Sequence, residues 1–294
     1  MTMSRFREGR AGLARPLIAG ALTILIGPAI ARAQDAPPAA PAAGDESPAL
    51  VGEEAALAKD LANPVAALIS VPFQTNFESQ IGPLREGNRT TINIQPVVPI
   101  SLNADWNLIS RTIVPVVTQS NIAPGAGSQF GLGDTVQSLF LSPAKGGSLT
   151  WGVGPAMLLP TGTSTVLTTG KWGIGPTAVV LTQSKGWTVG ALVNQIWSFA
   201  GDSGRASVNQ SFFQPFVTYT TKKATSYGLQ TEGTYDWGTR KLTMPVIATL
   251  GQVTKVGPQL VSFTLGLKYF AAVTPNSPHG FGGRFSVVLL YPRK

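Results

Sequence analysis

From Leu68 almost to the last residue the chain alternates with a period of two, and that period dictates β-structure. Ile69, Val71, Phe73, Thr75 and Phe77 alternate with Ser70, Pro72, Gln74, Asn76 and Glu78. Ile92, Ile94, Val98 and Ile100 alternate with Thr91, Asn93 and Gln95. Tyr227, Leu229, Thr231 and Tyr235 oppose Ser226, Gln230, Glu232 and Asp236. Val261, Phe263, Leu265, Leu267 and Tyr269 oppose Ser262, Thr264, Gly266 and Lys268, and Phe285, Val287, Leu289 and Tyr291 oppose Arg284 and Ser286. A strand turns successive residues to opposite faces, so each segment has one greasy face and one polar face. About twelve segments fit this scheme: 68–78, 88–100, 105–117, 129–141, 148–159, 171–181, 186–199, 208–220, 225–236, 241–251, 259–270 and 281–291. Each is near the roughly ten residues that a tilted bilayer-spanning strand requires.

Two neighbouring segments share a five-residue pattern, Trp151-Gly152-Val153-Gly154-Pro155 and Trp172-Gly173-Ile174-Gly175-Pro176. In both, the face opposite the apolar one carries glycine and threonine rather than charge. A soluble sandwich puts charge on its outer face, so the motif points to a different solvent. Composition agrees. Only 12% of residues are charged, against about 25% in a typical soluble domain. Mean hydropathy is +0.16, yet beyond the N-terminus no stretch nears the roughly 18 apolar residues of a spanning helix. Dispersed apolarity fits either a large all-β core or a transmembrane barrel.

The N-terminus has the three parts of a secretory signal. Arg5, Arg7, Arg10 and Arg15 form a basic region, Leu17 to Ile30 an apolar one, and Ala31-Arg32-Ala33 a cleavage site, giving a signal peptide over 1–33. An N-terminal membrane anchor is the alternative. Residues 34–50 read as a Pro/Ala-rich linker. A short helix over 51–62 carries Glu53 and Glu54 in its first turn and is stopped by Asn63-Pro64. It is read as a periplasmic lead-in, with a plug or cap of the barrel as the other choice. The barrel itself occupies 63–294. Without the signal the formal charge falls from +8 to about +4, and no basic run exceeds Lys222-Lys223. Nucleic-acid binding therefore finds no support. The absence of cysteine from an exported chain suits a sheet closed on itself.

An even strand number leaves both ends in the periplasm. The links 79–87, 118–128, 160–170, 200–207, 237–240 and 271–280 then face outward, and 101–104, 142–147, 182–185, 221–224 and 252–258 face the periplasm. The outward set is mostly the longer, as in outer-membrane barrels. The link 237–240 is the exception: either that hairpin is unusually tight or the register differs. All six tryptophans fall on the apolar parity near strand ends. Trp106, Trp151 and Trp187 start upward strands, Trp197 and Trp237 end upward strands, and Trp172 starts a downward one. That predicts two interfacial girdles, to which Tyr227, Tyr269 and Tyr291 add. The expected fold is all-β, a transmembrane antiparallel up-and-down barrel of about twelve strands with a short N-terminal helix. A soluble sandwich or lipocalin-like barrel is the alternative.

Several stretches resemble a known family. They are Asn63-Pro64 with Leu68-Ile69-Ser70-Val71-Pro72-Phe73-Gln74, Asn93-Ile94-Gln95-Pro96, and Trp106-Asn107-Leu108-Ile109-Ser110-Arg111. Gly131-Leu132-Gly133-Asp134 leads to Leu141-Ser142-Pro143, Gly154-Pro155 to Leu159-Pro160-Thr161-Gly162-Thr163, and Gly170-Lys171 to Trp172-Gly173-Ile174-Gly175-Pro176. Over most of 61–294 the chain resembles the bacterial outer-membrane barrel family named for the meta-cleavage pathway of phenol degradation, often labelled transporter. The resemblance implies an outer-membrane channel admitting small aromatic or other apolar solutes. Outer-membrane barrels normally finish on an aromatic residue, whereas here Tyr291 is followed by Pro292-Arg293-Lys294.

Catalytic chemistry is sparse. His279 is the only histidine, in a Pro-rich link, and is expected to be solvated rather than paired with a serine as an acyl hydrolase needs. No cysteine and one histidine give no metal spacing, and Gly162 to Lys171 lacks the spacing and following Ser/Thr of a phosphate loop. The expectation is a protein that is not an enzyme and needs no cofactor or metal. Charge on the inward parity is the remaining signal: Glu78, Arg111, Lys171, Glu232, Asp236, Lys241, Lys268 and Arg284. Such residues either bias solute selectivity or pair with one another and fill the interior. Gly152, Gly154, Gly173 and Gly175 share that parity and are expected to form a bare strip of lumen wall, so that Gly154→Phe blocks flux and spares insertion. The expected partners are outer-membrane lipid, the barrel-assembly machinery and a small-molecule solute. The function read is an outer-membrane channel or transporter; a structural or adhesive barrel is the alternative.

Overall fold

The computed structural model describes residues 48–292; the expected signal peptide and most of the expected linker lie outside them. One helix, α1 (Pro48–Leu61), precedes fifteen strand segments. They are β1 (Ile69–Ile81), β2 (Gly87–Ile94), β3 (Val97–Ser101), β4 (Trp106–Ser120), β5 (Ser128–Leu132), β6 (Thr135–Pro143), β7 (Thr150–Leu159) and β8 (Lys171–Ser184). Then come β9 (Trp187–Gly201), β10 (Asn209–Thr220), β11 (Thr225–Thr231), β12 (Gly233–Asp236), β13 (Lys241–Val256), β14 (Gln259–Ala272) and β15 (Phe281–Tyr291). Each pairs antiparallel with its neighbours, β15 returns to β1, and β9 pairs β10, so the sheet has no edge. Three spanning strands are interrupted, β2/β3, β5/β6 and β11/β12, and the wall is a closed barrel of twelve.

The interruptions follow from proline, which offers no N–H to a ladder. β2 and β3 keep one register on β4 (Ile94 opposite Val114, Val97 opposite Arg111). Only the ladder at Gln95-Pro96 is lost, where Thr112 N–H donates to the Pro96 carbonyl. β11 and β12 likewise keep one register on β13, and Glu232 between them falls opposite Pro245. The third interruption is a true bulge. The register on β4 shifts by one at Gly133-Asp134, and Gly133 N–H donates to the Pro115 carbonyl.

Polarity is inverted relative to a soluble domain. Ser70, Asn76, Ser138, Thr177, Thr188, Ser262, Lys268 and Ser286 are buried, while Ile174, Val189, Phe199, Leu250, Leu265 and Phe281 stand exposed on the alternate parity. A barrel in water would aggregate through such a surface; in hydrocarbon the same surface is solvated. Rings cluster at both ends. Trp106 meets Trp151 edge-on at 5.9 Å and Trp187 meets Tyr219 at 4.9 Å at the terminal end of the barrel, where β1 begins and β15 finishes. Tyr235 with Trp237 at 4.8 Å and Tyr269 with Phe281 at 5.1 Å lie at the other. The link 237–240 is indeed a tight hairpin, with Arg240 at φ 56° and Asp236 Oδ1 accepting Thr239 N–H at 2.8 Å.

The helix departs from expectation in extent and in place. It starts at Pro48, inside the expected linker, because proline is well suited to the first helical turn. Glu53 and Glu54 therefore lie beyond that turn, and Lys59 in the last turn is the side chain that complements the dipole. Nor is the helix a lead-in. Leu57 and Ala58 are buried against Leu68, Ala224, Val253, Val288 and Leu290, and Gln183 of β8 donates to the Lys59 carbonyl at 2.8 Å. Two buried apolar residues facing five others hold the helix inside the terminal end of the barrel.

Candidate functional site

The lumen divides into three levels. At the terminal end, Asn63 Oδ1 accepts Val65 N–H at 3.0 Å, a local turn that follows the helix stop. That turn drives Val65 into a cluster with Ile109, Phe140, Val179, Leu181, Leu192 and Phe216. With α1 on one wall and Val65 on the opposite one, the first residues of the barrel domain fill this level.

The middle level is ionic. Arg284 donates two bonds of 2.7 Å to the two Glu232 oxygens and a third, from Nε, to Asn76 Oδ1 at 2.8 Å. Lys268 Nζ reaches Glu78 Oε1 at 2.6 Å and lies 5.4 Å from the Phe270 ring centre. Glu232 and Arg284 belong to strands separated by β13 and β14; the bare Gly266 lets Arg284 lie over β14, since a Cβ there would sit 3.1 Å from Arg284 Cβ. Two further cations end on amide oxygens. Arg111 donates to Gln95 Oε1 at 3.1 Å, and Arg89 to Gln119 Oε1 at 2.9 Å. Arg111, on the facing wall, is within electrostatic reach of Glu232.

Above this lies a mainly apolar chamber of about 270 Å³ lined by Ile113, Val136, Leu158, Ile196, Val208 and Phe212, with Arg111 at its base and Ser138, Asn194, Gln210 and Thr234 as its neutral polar members. Arg111 also lines a cavity of about 150 Å³ beside Asp60, Asn63 and Pro64, so it stands between the two spaces. A third cavity, about 260 Å³, runs from Leu61 and Pro64 at the end of α1 along β13, β14 and β15, its apolar wall interspersed with Gln74, Gln214, Thr249 and Arg284.

The structure brings Arg111, Glu232, Lys268 and Arg284 together. Lys171 is also buried, at the start of β8. Asp236 instead spends its carboxylate on the 237–240 turn and on Gln210, and Lys241, expected inward, is exposed at the mouth, beyond the bulge at Met244/Pro245. The glycines do not form an open strip. The register sets Gly152 opposite Val179, Gly154 opposite Thr177, Ala156 opposite Gly175 and Leu158 opposite Gly173, so each motif's glycines face the other strand's larger residues. A Cβ on Gly152 would lie 3.2 Å from Phe140 and Val65, and one on Gly154 would strike the Leu139 carbonyl. His279 is not solvated either. It is buried, and its Nδ1 lies 2.8 Å from the Ser277 carbonyl and 3.1 Å from that of Gln80, tying the 273–280 link to β1.

Sequence reading missed Asp134. Its two oxygens accept Gly162 N–H, Thr168 Oγ1–H, Thr169 N–H and Thr169 Oγ1–H, three of them at 2.6 Å. Arg205 donates to the Thr165 and Thr168 carbonyls from the other side. Together they fold the 160–170 link against the bulge at the mouth. An acidic residue behind a bulge glycine, with a Thr-rich link downstream, was the available signal.

A family model, that of the MetA-pathway of phenol degradation, matches residues 84–284. Among solved structures the chain is similar to an outer membrane channel from Pseudomonas putida F1, with 16% identity, TM-score 0.62, and coverage of 76% of this chain and 96% of that one. It also aligns with the outer membrane phospholipase of Salmonella typhi, at 12% identity, TM-score 0.43, and coverage of 81% and 98%. No curated protein matches it.

Proposed function

Since the chain belongs to the MetA-pathway of phenol degradation family and is an outer-membrane barrel, we propose that its lumen passes small aromatic or apolar solutes. The observation that carries this is a run of cavities with shared walls: the chamber above Arg111 meets a second cavity at Arg111, and that one shares Pro64, Gln95 and Gln214 with the third. A merely structural barrel gains nothing from voids, since each forfeits packing contacts. The six tryptophans seat this conduit at the two headgroup levels, and Arg111, Lys171, Glu232, Lys268 and Arg284 shape its interior charge. Insertion depends on the barrel-assembly machinery.

Proteoliposome swelling with small neutral aromatics tests the reading. Permeation faster than in empty liposomes is expected, and swelling no faster than with denatured protein sinks it. A closed, structural barrel is the second reading, and the packing of α1 and Val65 in the lumen favours it. Bilayer insertion without flux, with or without residues 48–62, selects that reading.

A further inference from the structure

We propose that the chamber above Arg111 is a binding site for a small apolar carboxylate, a compound with one ring or short chain and one anionic end. The inference rests on the solute-passage reading and names the class of solute.

Charge is the first ground. At the middle level Arg89, Arg111, Lys268 and Arg284 face two carboxylates, Glu78 and Glu232, and both carboxylates are taken by Lys268 and Arg284. Among the described residues no carboxylate lies within ion-pair distance of Arg111. Its side chain shows one hydrogen bond, from one terminal nitrogen to Gln95. A guanidinium presents five donors in a planar fork shaped for a carboxylate, so most of its capacity remains for a ligand.

Shape is the second ground. The volume of about 270 Å³ sits near the lower edge of the roughly 300–1,000 Å³ usual for small-molecule sites, which fits a ligand of about one ring. The wall is mainly apolar, through residues such as Ile113 and Phe212; Ser138, Asn194, Gln210 and Thr234 are its neutral polar members, and Arg111 at the base is the one charged side chain on it. A neutral hydrocarbon would leave the guanidinium's donors unanswered, and a free inorganic anion would leave the apolar wall uncovered. A molecule with both halves satisfies both.

The test uses the full barrel in detergent micelles, with benzoate and toluene as probes and calorimetry as the readout. Benzoate is expected to bind more tightly than toluene. Arg111→Gln should weaken benzoate by roughly thirtyfold, the scale of losing one partner of a desolvated charge pair, and leave toluene nearly unchanged. Arg111→Lys should retain part of the benzoate affinity, and Ile196→Trp, which fills the chamber, should weaken both probes. Heat-modifiable mobility verifies that each variant is folded. Equal affinities for the two probes, no benzoate binding, or benzoate binding indifferent to Arg111→Gln overturns the inference. Binding is read without flux, so a barrel that binds benzoate but passes nothing refutes the conduit reading and not the site.

Discussion

At the scale of residues, the ion pair of Arg284 and Glu232 is a two-bond fork with a third bond to Asn76. Removing Glu232 leaves the Arg284 charge in the lumen with only the neutral Asn76 oxygen to answer it. Glu232→Ala is therefore expected to destabilise the barrel by about 3 kcal/mol, read as a lower midpoint of heat-induced mobility change; an unchanged midpoint argues for a water-filled level where the pair is screened. The glycines respond differently from the bare-strip expectation. Gly154→Phe is now expected to prevent assembly rather than to block a formed conduit, because even a Cβ collides with the Leu139 backbone. Absence of the heat-modifiable form on gels checks this. Residue parity was legible in the sequence: Lys268 and Arg284 fall inward because their strands alternate without interruption. Partnership was not legible, since Glu232 meets Arg284 across two intervening strands and through the gap left by Gly266.

Among elements, the strands were legible and the helix was half so. Twelve segments written from alternation match the twelve spanning strands, because register and burial share one period. One internal break lies at a proline of its own segment, Pro96; the other two face prolines on neighbouring strands, Pro115 and Pro245, which no single segment reveals. The helix was visible as a run of formers, but its start was placed late because Pro48 reads as linker until a helix follows it. Its destination depends on Leu68, Val253 and Leu290, up to the far end of the chain, and local sequence cannot disclose that. Deleting residues 48–62 while keeping residues 1–47 is expected to raise single-channel conductance severalfold. A milder change, Leu57→Asp, should raise the frequency of open events by placing a charge among the buried aliphatic residues that hold the helix. Conductance identical to the parent in both variants means the segment does not obstruct passage.

For the whole molecule, closure and inverted polarity place it in a bilayer, and the interior carries four cations against two carboxylates at its middle level. Pore-lining charge of one sign enriches the opposite ion. In a KCl gradient the reversal potential should therefore indicate preference for chloride, and Arg111→Gln should move it toward zero by a measurable fraction. Cation preference in the parent contradicts this. The strand count and the inverted surface followed from composition and period. The ionic level did not, because it is assembled from β1, β2, β4, β14, β15 and the β11/β12 break.

The offset of the two Trp-Gly-x-Gly-Pro segments has a consequence for biogenesis. Alternation alone cannot distinguish the native pairing of β7 and β8 from one slipped by two residues, since both keep every side chain on its proper face. A two-residue slip in one direction would set Gly154 against Gly175 and leave voids in place of the native contacts with Thr177 and Ala156. A hairpin slipped in this way loses packing. The offset therefore disfavours that slip, and lengthening the 160–170 link is expected to be tolerated only where it leaves the alignment intact.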